Sequence, residues 1–207
     1  MRLEVEPEHL VAVVGNGREQ VGPHIQELAP DVVLAVQETQ DGTGHAVRVG
    51  LDALRERCGT TRGTVVVLAG DTPLMRGETL AGLVEDHASA GRAVTVLTAE
   101  LADPFGYGRV IRGADGSVTA IVEQKDADEQ QAAVREISSG VFAFEGDFLA
   151  SALGRIRNDN AQGEYYLPDV VGIAREDGQP IGAHRIDDVM QTEGANDRAQ
   201  LATLGRE

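Results

Sequence analysis

The chain has no tryptophan, one cysteine, 3% aromatic residues and a single lysine. A lone thiol, Cys58, cannot close an internal disulfide, so packing and hydrogen bonding must hold the fold without a covalent staple. It reads as incidental. No apolar stretch is long enough for a membrane span or a signal peptide, and with the unpaired thiol this places the expected location in a bacterial-type cytoplasm. Positive charge is also scarce: 18 Lys and Arg face 34 Asp and Glu, for a formal net charge of −16. That balance argues against nucleic acid and anionic membrane surfaces as partners, since both reward a basic face. A phosphorylated small-molecule ligand would need a metal ion or local arginines. What is present is enough for one core: 207 residues, 42% hydrophobic, suit a single domain over residues 1–207.

Hydrophobic periodicity alternates strand and helix for the first hundred residues. Strands are expected at His9–Gly15, Asp31–Gln37, Thr64–Gly70 and Ala93–Ala99, with helices at Arg18–Leu28, Gly44–Arg57 and Glu78–Ala88. This is a doubly wound α/β pattern with a mixed, mostly parallel sheet. Short alternating strands at Gly108–Arg112 and Val118–Glu123 then flank Gly113-Ala114-Asp115-Gly116, an inserted β-hairpin foreign to βαβ units. A polar helix (Asp126–Val134), a strand (Gly140–Phe144), helices at Asp147–Arg155 and Tyr166–Glu176, a strand (Ile181–Ile186) and a helix from Asp197 complete the reading.

Asp71 is the first candidate for chemistry. It follows the apolar run Thr64–Ala69 and Gly70, and ligands of open α/β sheets gather beyond the carboxyl ends of such strands. Gly70 lets a bulky ligand approach the backbone and Pro73 stiffens the turn, so the carboxylate is placed to hold a hard cation beside a phosphate. The alternative is a helix-capping Asp. Lys125, surviving where arginine is otherwise favoured, points to a site that wants a compact ammonium, with a surface lysine as the alternative. Val14-Gly15-Asn16-Gly17, with Glu38 beyond it, partly matches a dinucleotide-binding fingerprint, but Gln20 stands at the third glycine and a simple strand-to-helix turn reads better. Gln37 through His45 is richer, offering amides, a hydroxyl and free N–H groups at a helix N-terminus, which can read a planar base and sit near an anion.

Six segments occur together in one order: Gln37–His45, Gly70-Asp71-Thr72-Pro73-Leu74, Gly106–Val110, Val122–Asp126, Asn160–Tyr166 and Glu193–Arg198. In these the chain resembles the uridylyltransferase domain of the bacterial bifunctional UDP-N-acetylglucosamine pyrophosphorylase and glucosamine-1-phosphate acetyltransferase. The resemblance implies a Rossmann-like nucleotidyltransferase fold and uridylyl transfer from UTP to N-acetylglucosamine 1-phosphate, giving UDP-N-acetylglucosamine for cell-wall polymers, and pyrophosphate. It implies Mg²⁺ held by Asp71 and Asn196, and uridine contacts from Gln37, Gly42 and Thr43. The sugar would meet Gly108 and Glu123, with help from Glu164 and Tyr166.

Three departures accompany the resemblance. The family's first strand and its glycine-rich triphosphate loop, with a lysine at the α-phosphate, have no counterpart before His9. That strand lies mid-sheet, so its two neighbours are expected to show unpaired backbone and uncovered apolar side chains. Ser138 stands where the family places a sugar-contacting asparagine, and a hydroxyl cannot span two partners as an amide does. The β-helix acetyltransferase half does not follow. Three readings result: a nucleotidyltransferase domain represented by a shortened chain, a non-catalytic UDP-sugar binder, or a nonfunctional remnant.

Overall fold

The computed structural model describes residues 6–194. Asn196 and the helix expected from Asp197 lie outside the described residues. Within them, β1 (Val11–Val14), α1 (Arg18–Leu28), β2 (Val33–Val36), α2 (Thr43–Cys58), β3 (Thr64–Val67), α3 (Gly77–Ser89) and β4 (Val94–Glu100) alternate as the periodicity requires. The hairpin follows as β5 (Gly108–Arg112) and β6 (Val118–Val122), antiparallel, with Gly116 at φ 80° in its turn. Next come α4 (Glu129–Ala132), β7 (Glu136–Glu145), α5 (Gly146–Leu153), α6 (Asp169–Glu176), β8 (Ile181–Arg185) and a 3₁₀ turn at Val189–Thr192.

Four elements have boundaries that differ from expectation by three residues or more, each for a physical reason. The helix expected over Asp126–Val134 is a single turn, closed by a capping box in which the Asp128 carboxylate accepts from Gln131 N at 2.8 Å; none of its residues is buried, so no packing extends it. Strand β7 is ten residues long because Ile137, Ser138 and Ser139, whose Ser-Ser-Gly run reads as a turn, are buried between β4 and β5. The β3 ladder ends at Val67, not Gly70. Its partner β7 pairs with it only as far as Phe142, and beyond that point Gly140 adopts φ 79°, a left-handed conformation that suits glycine. Helix α6 begins at Asp169, not Tyr166, because Pro168 disfavours helical geometry in the residue before it.

The sheet is mixed. Strands run in the order β6-β5-β7-β4-β8, with β3 beside the C-terminal half of β7. Among the described residues only β1–β2 and β4–β8 pair in parallel, so the expectation of a mostly parallel sheet is corrected: β7 runs against β3, β4 and β5 and tips the balance. Alternation along β7 divides the core between two faces. Phe142 and Phe144 point to the α2/α5/α6 side, stacked at 5.4 Å, while Val141 and Ala143 point to α3.

Strands β1 and β2 form a sheet of their own. Helix α2 links this pair to the rest: Gly50 lets it approach Val13 closely, while Leu51 belongs to the main core beside Val65 and Val67. Among the described residues β1 pairs only with β2 and β3 only with β7, and Leu10, Val13 and Leu68 are 43%, 37% and 46% exposed. Both strands therefore present an edge with no ladder partner and uncovered apolar side chains among the described residues.

The start of α5 is the tightest backbone contact. A Cβ at Gly146 would lie 1.7 Å from the Thr61 carbonyl oxygen, and Gly146 N donates to Gly63 O at 2.9 Å. Gly146→Ala is expected to lower unfolding free energy by about 2–3 kcal/mol in urea melts. Gly154→Ala, whose Cβ would meet the Ser151 carbonyl oxygen at an ordinary 3.6 Å, is expected to stay within about 0.5 kcal/mol.

Candidate functional site

A cleft of about 940 Å³ opens where β3 ends and β7 bends. Thr43, Asp71, Gly108, Glu123 and Ser138 all line it, although they come from five separate segments. The sequence also places Gly70 here, and its neighbours Ala69 and Asp71 form the wall on either side of it.

Asp71 follows the end of the β3 ladder, where Thr72 Oγ1 turns back to donate to Ala69 O at 3.0 Å and fixes the corner. Its carboxylate is exposed to the cleft and forms no hydrogen bond or ion pair among the described residues. Nearby stand Tyr107 and Glu193. Burial, then Glu193 and to a lesser degree Asp71, push the Tyr107 phenol above its usual range, and its hydroxyl reaches Thr192 O at 3.5 Å.

The loop between Gln37 and Gly44 is clasped by the segment at Glu164–Leu167. Gly44 N donates to Tyr165 O (2.7 Å), Tyr165 N to Asp41 O (2.8 Å) and Leu167 N to Thr43 Oγ1 (3.0 Å). Gly42 sits inside this clasp at φ 102°, where a Cβ would lie 2.7 Å from Tyr165 O, so no side chain fits. Gln37 is buried and braces the loop by donating from Nε2 to Gly42 O at 3.2 Å; the same atom lies 3.1 Å from His45 Nδ1. The backbone of Glu164 is held by Asn160, whose Oδ1 accepts from Glu164 N at 3.2 Å.

On the opposite wall, Gly108 opens β5 and a Cβ there would crowd Glu123 Oε1 at 3.2 Å. Ser138 is 7% exposed, and its Oγ accepts from Gly140 N at 3.4 Å. Behind Glu123 a second hollow of about 290 Å³ is lined by Asp126, Asp159, Asn160, Tyr166 and Asp169. Tyr166 lies in this hollow, not in the main cleft, and its hydroxyl is buried without a protein partner among the described residues. Burial, Asp126 and Asp169 raise the Glu123 carboxyl above the usual range, with Arg109 opposing them.

Lys125 is not brought to the cleft. It is exposed in the turn that follows Glu123, and its ammonium donates to Gln162 Oε1. The turn closed by Asp126 N to Glu123 O at 3.0 Å carries it outward, so the surface alternative describes its position. Conversely, Tyr107, Glu193 and the Asp103–Gly106 corner line the cleft without having been assigned a part in it. The corner is an Asx turn, Asp103 accepting from Phe105 N at 3.1 Å; the Asp-Pro-Phe-Gly string announces a turn but not what the turn covers.

The family described as nucleotidyl transferase matches residues 6–189. The chain belongs to that family. Among curated relatives, the bifunctional protein GlmU of Streptomyces coelicolor is 58% identical over 204 residues, covering 98% of this chain and 42% of the relative. The GlmU proteins of Corynebacterium efficiens (50% over 207 residues; 98% and 42%) and Cutibacterium acnes (53% over 209 residues; 98% and 49%) are similar to the same extent. The chain thus spans less than half the length of these relatives. In fold, it resembles a nucleoside-diphosphate-sugar pyrophosphorylase from Vibrio cholerae RC9, with a TM-score of 0.66 at 14% identity over 95% of this chain and 80% of that one.

The second hollow of this nucleotidyl transferase generates a pH prediction. Burial, Asp126 and Asp159 push the Asp169 carboxyl up to about 6. An acid raised on folding adds no penalty where both states are protonated, and lowers stability as pH rises through its folded value. Asp169→Asn is therefore expected to melt above wild type at pH 8, with most of the difference gone at pH 4, in thermal denaturation at both pH values. A difference of equal size at both would show that the charge of Asp169 is not its source.

Proposed function

We propose that this chain is the nucleotidyl-transfer domain for joining N-acetylglucosamine 1-phosphate to UTP in the cytoplasm, giving UDP-N-acetylglucosamine and pyrophosphate. One observation carries the reading: a single cleft, of a size that suits a nucleotide sugar, gathers Thr43, Asp71, Gly108, Glu123 and Ser138 from five distant segments. Family membership and the GlmU relatives support the same chemistry.

In this reading the clasped loop presents Thr43 and Gly42 to the uridine, with Gln37 bracing it from behind. Glu123, when ionised, accepts hydrogen bonds from sugar hydroxyls beside Gly108 and Ser138. The attacking phosphate is already anionic and needs no general base, so the protein's contribution is in-line positioning. A Mg²⁺ ion, when bound, supplies charge neutralisation for the departing pyrophosphate. Asp71 fits that role because its carboxylate has no hydrogen-bond or ion-pair partner among the described residues and faces the cleft, and Mg²⁺ characteristically takes one or two protein carboxylates beside phosphate oxygens. Asn196 would complete the set from outside the described residues.

A second reading, a non-catalytic binder of UDP-sugars, is favoured by a different observation. The described lining of the cleft contains Asp71, Asp103, Glu123 and Glu193 and no Lys or Arg side chain, so nothing there cradles a triphosphate. The deciding assay measures pyrophosphate release from UTP, N-acetylglucosamine 1-phosphate and Mg²⁺, on this chain and on one extended by the family's first strand and glycine-rich loop. Release by either protein supports transfer; release by neither, with UDP-N-acetylglucosamine still bound, supports the binder.

Where release occurs, Asp71→Ala is expected to reduce turnover by at least about a hundredfold without changing the melting temperature. Gln37→Ala is expected to narrow the preference for UTP over CTP and ATP while leaving the KM for the sugar phosphate within about twofold. Near-normal turnover in the first variant would remove the metal role of Asp71.

A further inference from the structure

Among the described residues Arg109 is the largest fully buried side chain, 2% exposed in the second position of β5, immediately after Gly108. A buried guanidinium is expensive unless its donors are satisfied. Here Nε donates to Ala132 O at 3.3 Å, one terminal nitrogen to Tyr107 O, and the other to Gln124 Oε1 at 2.7 Å. All three acceptors are neutral oxygens. They also belong to three different segments: the end of α4, the loop before β5, and the turn after β6. Gln124 Oε1 accepts a second bond, from Gly106 N at 3.1 Å, so the Arg109–Gln124 pair ties the loop before Gly108 to the turn beside Glu123. Tyr107, Gly108 and Glu123 line the cleft, whereas Arg109 does not.

We infer that Arg109, through Gln124, is a positioning residue for the sugar half of the cleft: it fixes the spacing of Gly108 and Glu123. This rests on the nucleotide-sugar reading above. The three acceptors are met by three separate nitrogens of one planar fork, a spacing that the single ammonium nitrogen of a lysine does not reproduce. The charge has its own role, because the Glu123 carboxyl faces Asp126 from its own turn and Asp169 from α6, both pushing it toward protonation, and Arg109 is the cation that opposes them. Asp159 lines the same hollow behind Glu123.

The test is isothermal titration of this chain and three variants with UDP-N-acetylglucosamine and, separately, UDP, from pH 5 to 8. Arg109→Met and Gln124→Ala are expected to weaken UDP-N-acetylglucosamine by about tenfold or more while leaving UDP within about twofold. Gln124 is only half-buried, so its variant tests the tie if Arg109→Met unfolds. Arg109→Met should also move the acidic loss of sugar-nucleotide binding to higher pH, since removing the cation raises Glu123 further; Arg109→Lys should weaken binding without moving that midpoint. Unchanged affinity in both Arg109→Met and Gln124→Ala, equal losses for both ligands, or an identical midpoint in folded Arg109→Met and Arg109→Lys overturns the inference alone. Wild type that binds neither ligand overturns the nucleotide-sugar reading and this inference with it.

Discussion

The bend of β7 at Gly140 is the constraint on which the site depends. C-terminal to it the strand pairs with β3 on one edge and β4 on the other, and its alternating residues fill the cores on both faces of the sheet. N-terminal to it the strand keeps β4 but exchanges β3 for β5. The exchange leaves the end of β3 without a ladder partner, and that divergence is the cleft. Asp71 stands on one side of it; Ser138, Ser139 and Gly140 form its floor. The matching irregularity in β4, a register shift between Val96 and Thr98, lets one neighbour follow β7 through the bend.

Electrostatics then set what the cleft can accept. Four carboxylates among its described lining residues repel a polyphosphate, and the net charge of −16 adds a field of the same sign. A divalent ion held at Asp71, as proposed, would convert one of these liabilities into a ligand. Glu123 is separated from that corner, with burial and two further carboxylates drawing it toward protonation and Arg109 alone drawing it back. In the proposed reading the two ends of the cleft would be specialised, one for a hard cation and phosphate, the other for hydroxyl groups. Arg109 belongs to the second because its contacts reach the Gly106–Gly108 loop and Gln124, not Asp71.

Much of this was legible in the residues because it is local. The helix over Arg18–Leu28 and the hairpin around Gly113–Gly116 follow from periodicity and turn chemistry, and both are where the pattern puts them. What was not legible is set by tertiary context. Glu136–Ser139 reads as a loop because Ser-Ser-Gly is a turn string, yet two flanking strands make it strand. Lys125 was singled out by residue type, but type does not decide the direction of a turn, and this one points away from the cleft. Arg109 lay inside a quoted motif without a role, since burial of a charged side chain cannot be read from its neighbours in sequence.

The division of the sheet follows from the same physics. Among the described residues β1 and β2 have no ladder connecting them to the other six strands, so their registration against the main sheet comes through α2, which packs Gly50 on Val13 and Leu51 into the common core. Side-chain packing tolerates sliding that a hydrogen-bonded ladder does not, because each ladder bond fixes register to one residue. The clasp between Asp41–Gly44 and Tyr165–Leu167 supplies the missing precision. It fastens the N-terminal end of α2 by directional bonds to a segment anchored in the main core through Leu167. The residues at that end of α2, Thr43 among them, are therefore held in place relative to Asp71 and Glu123 even where the strands beneath them are not joined.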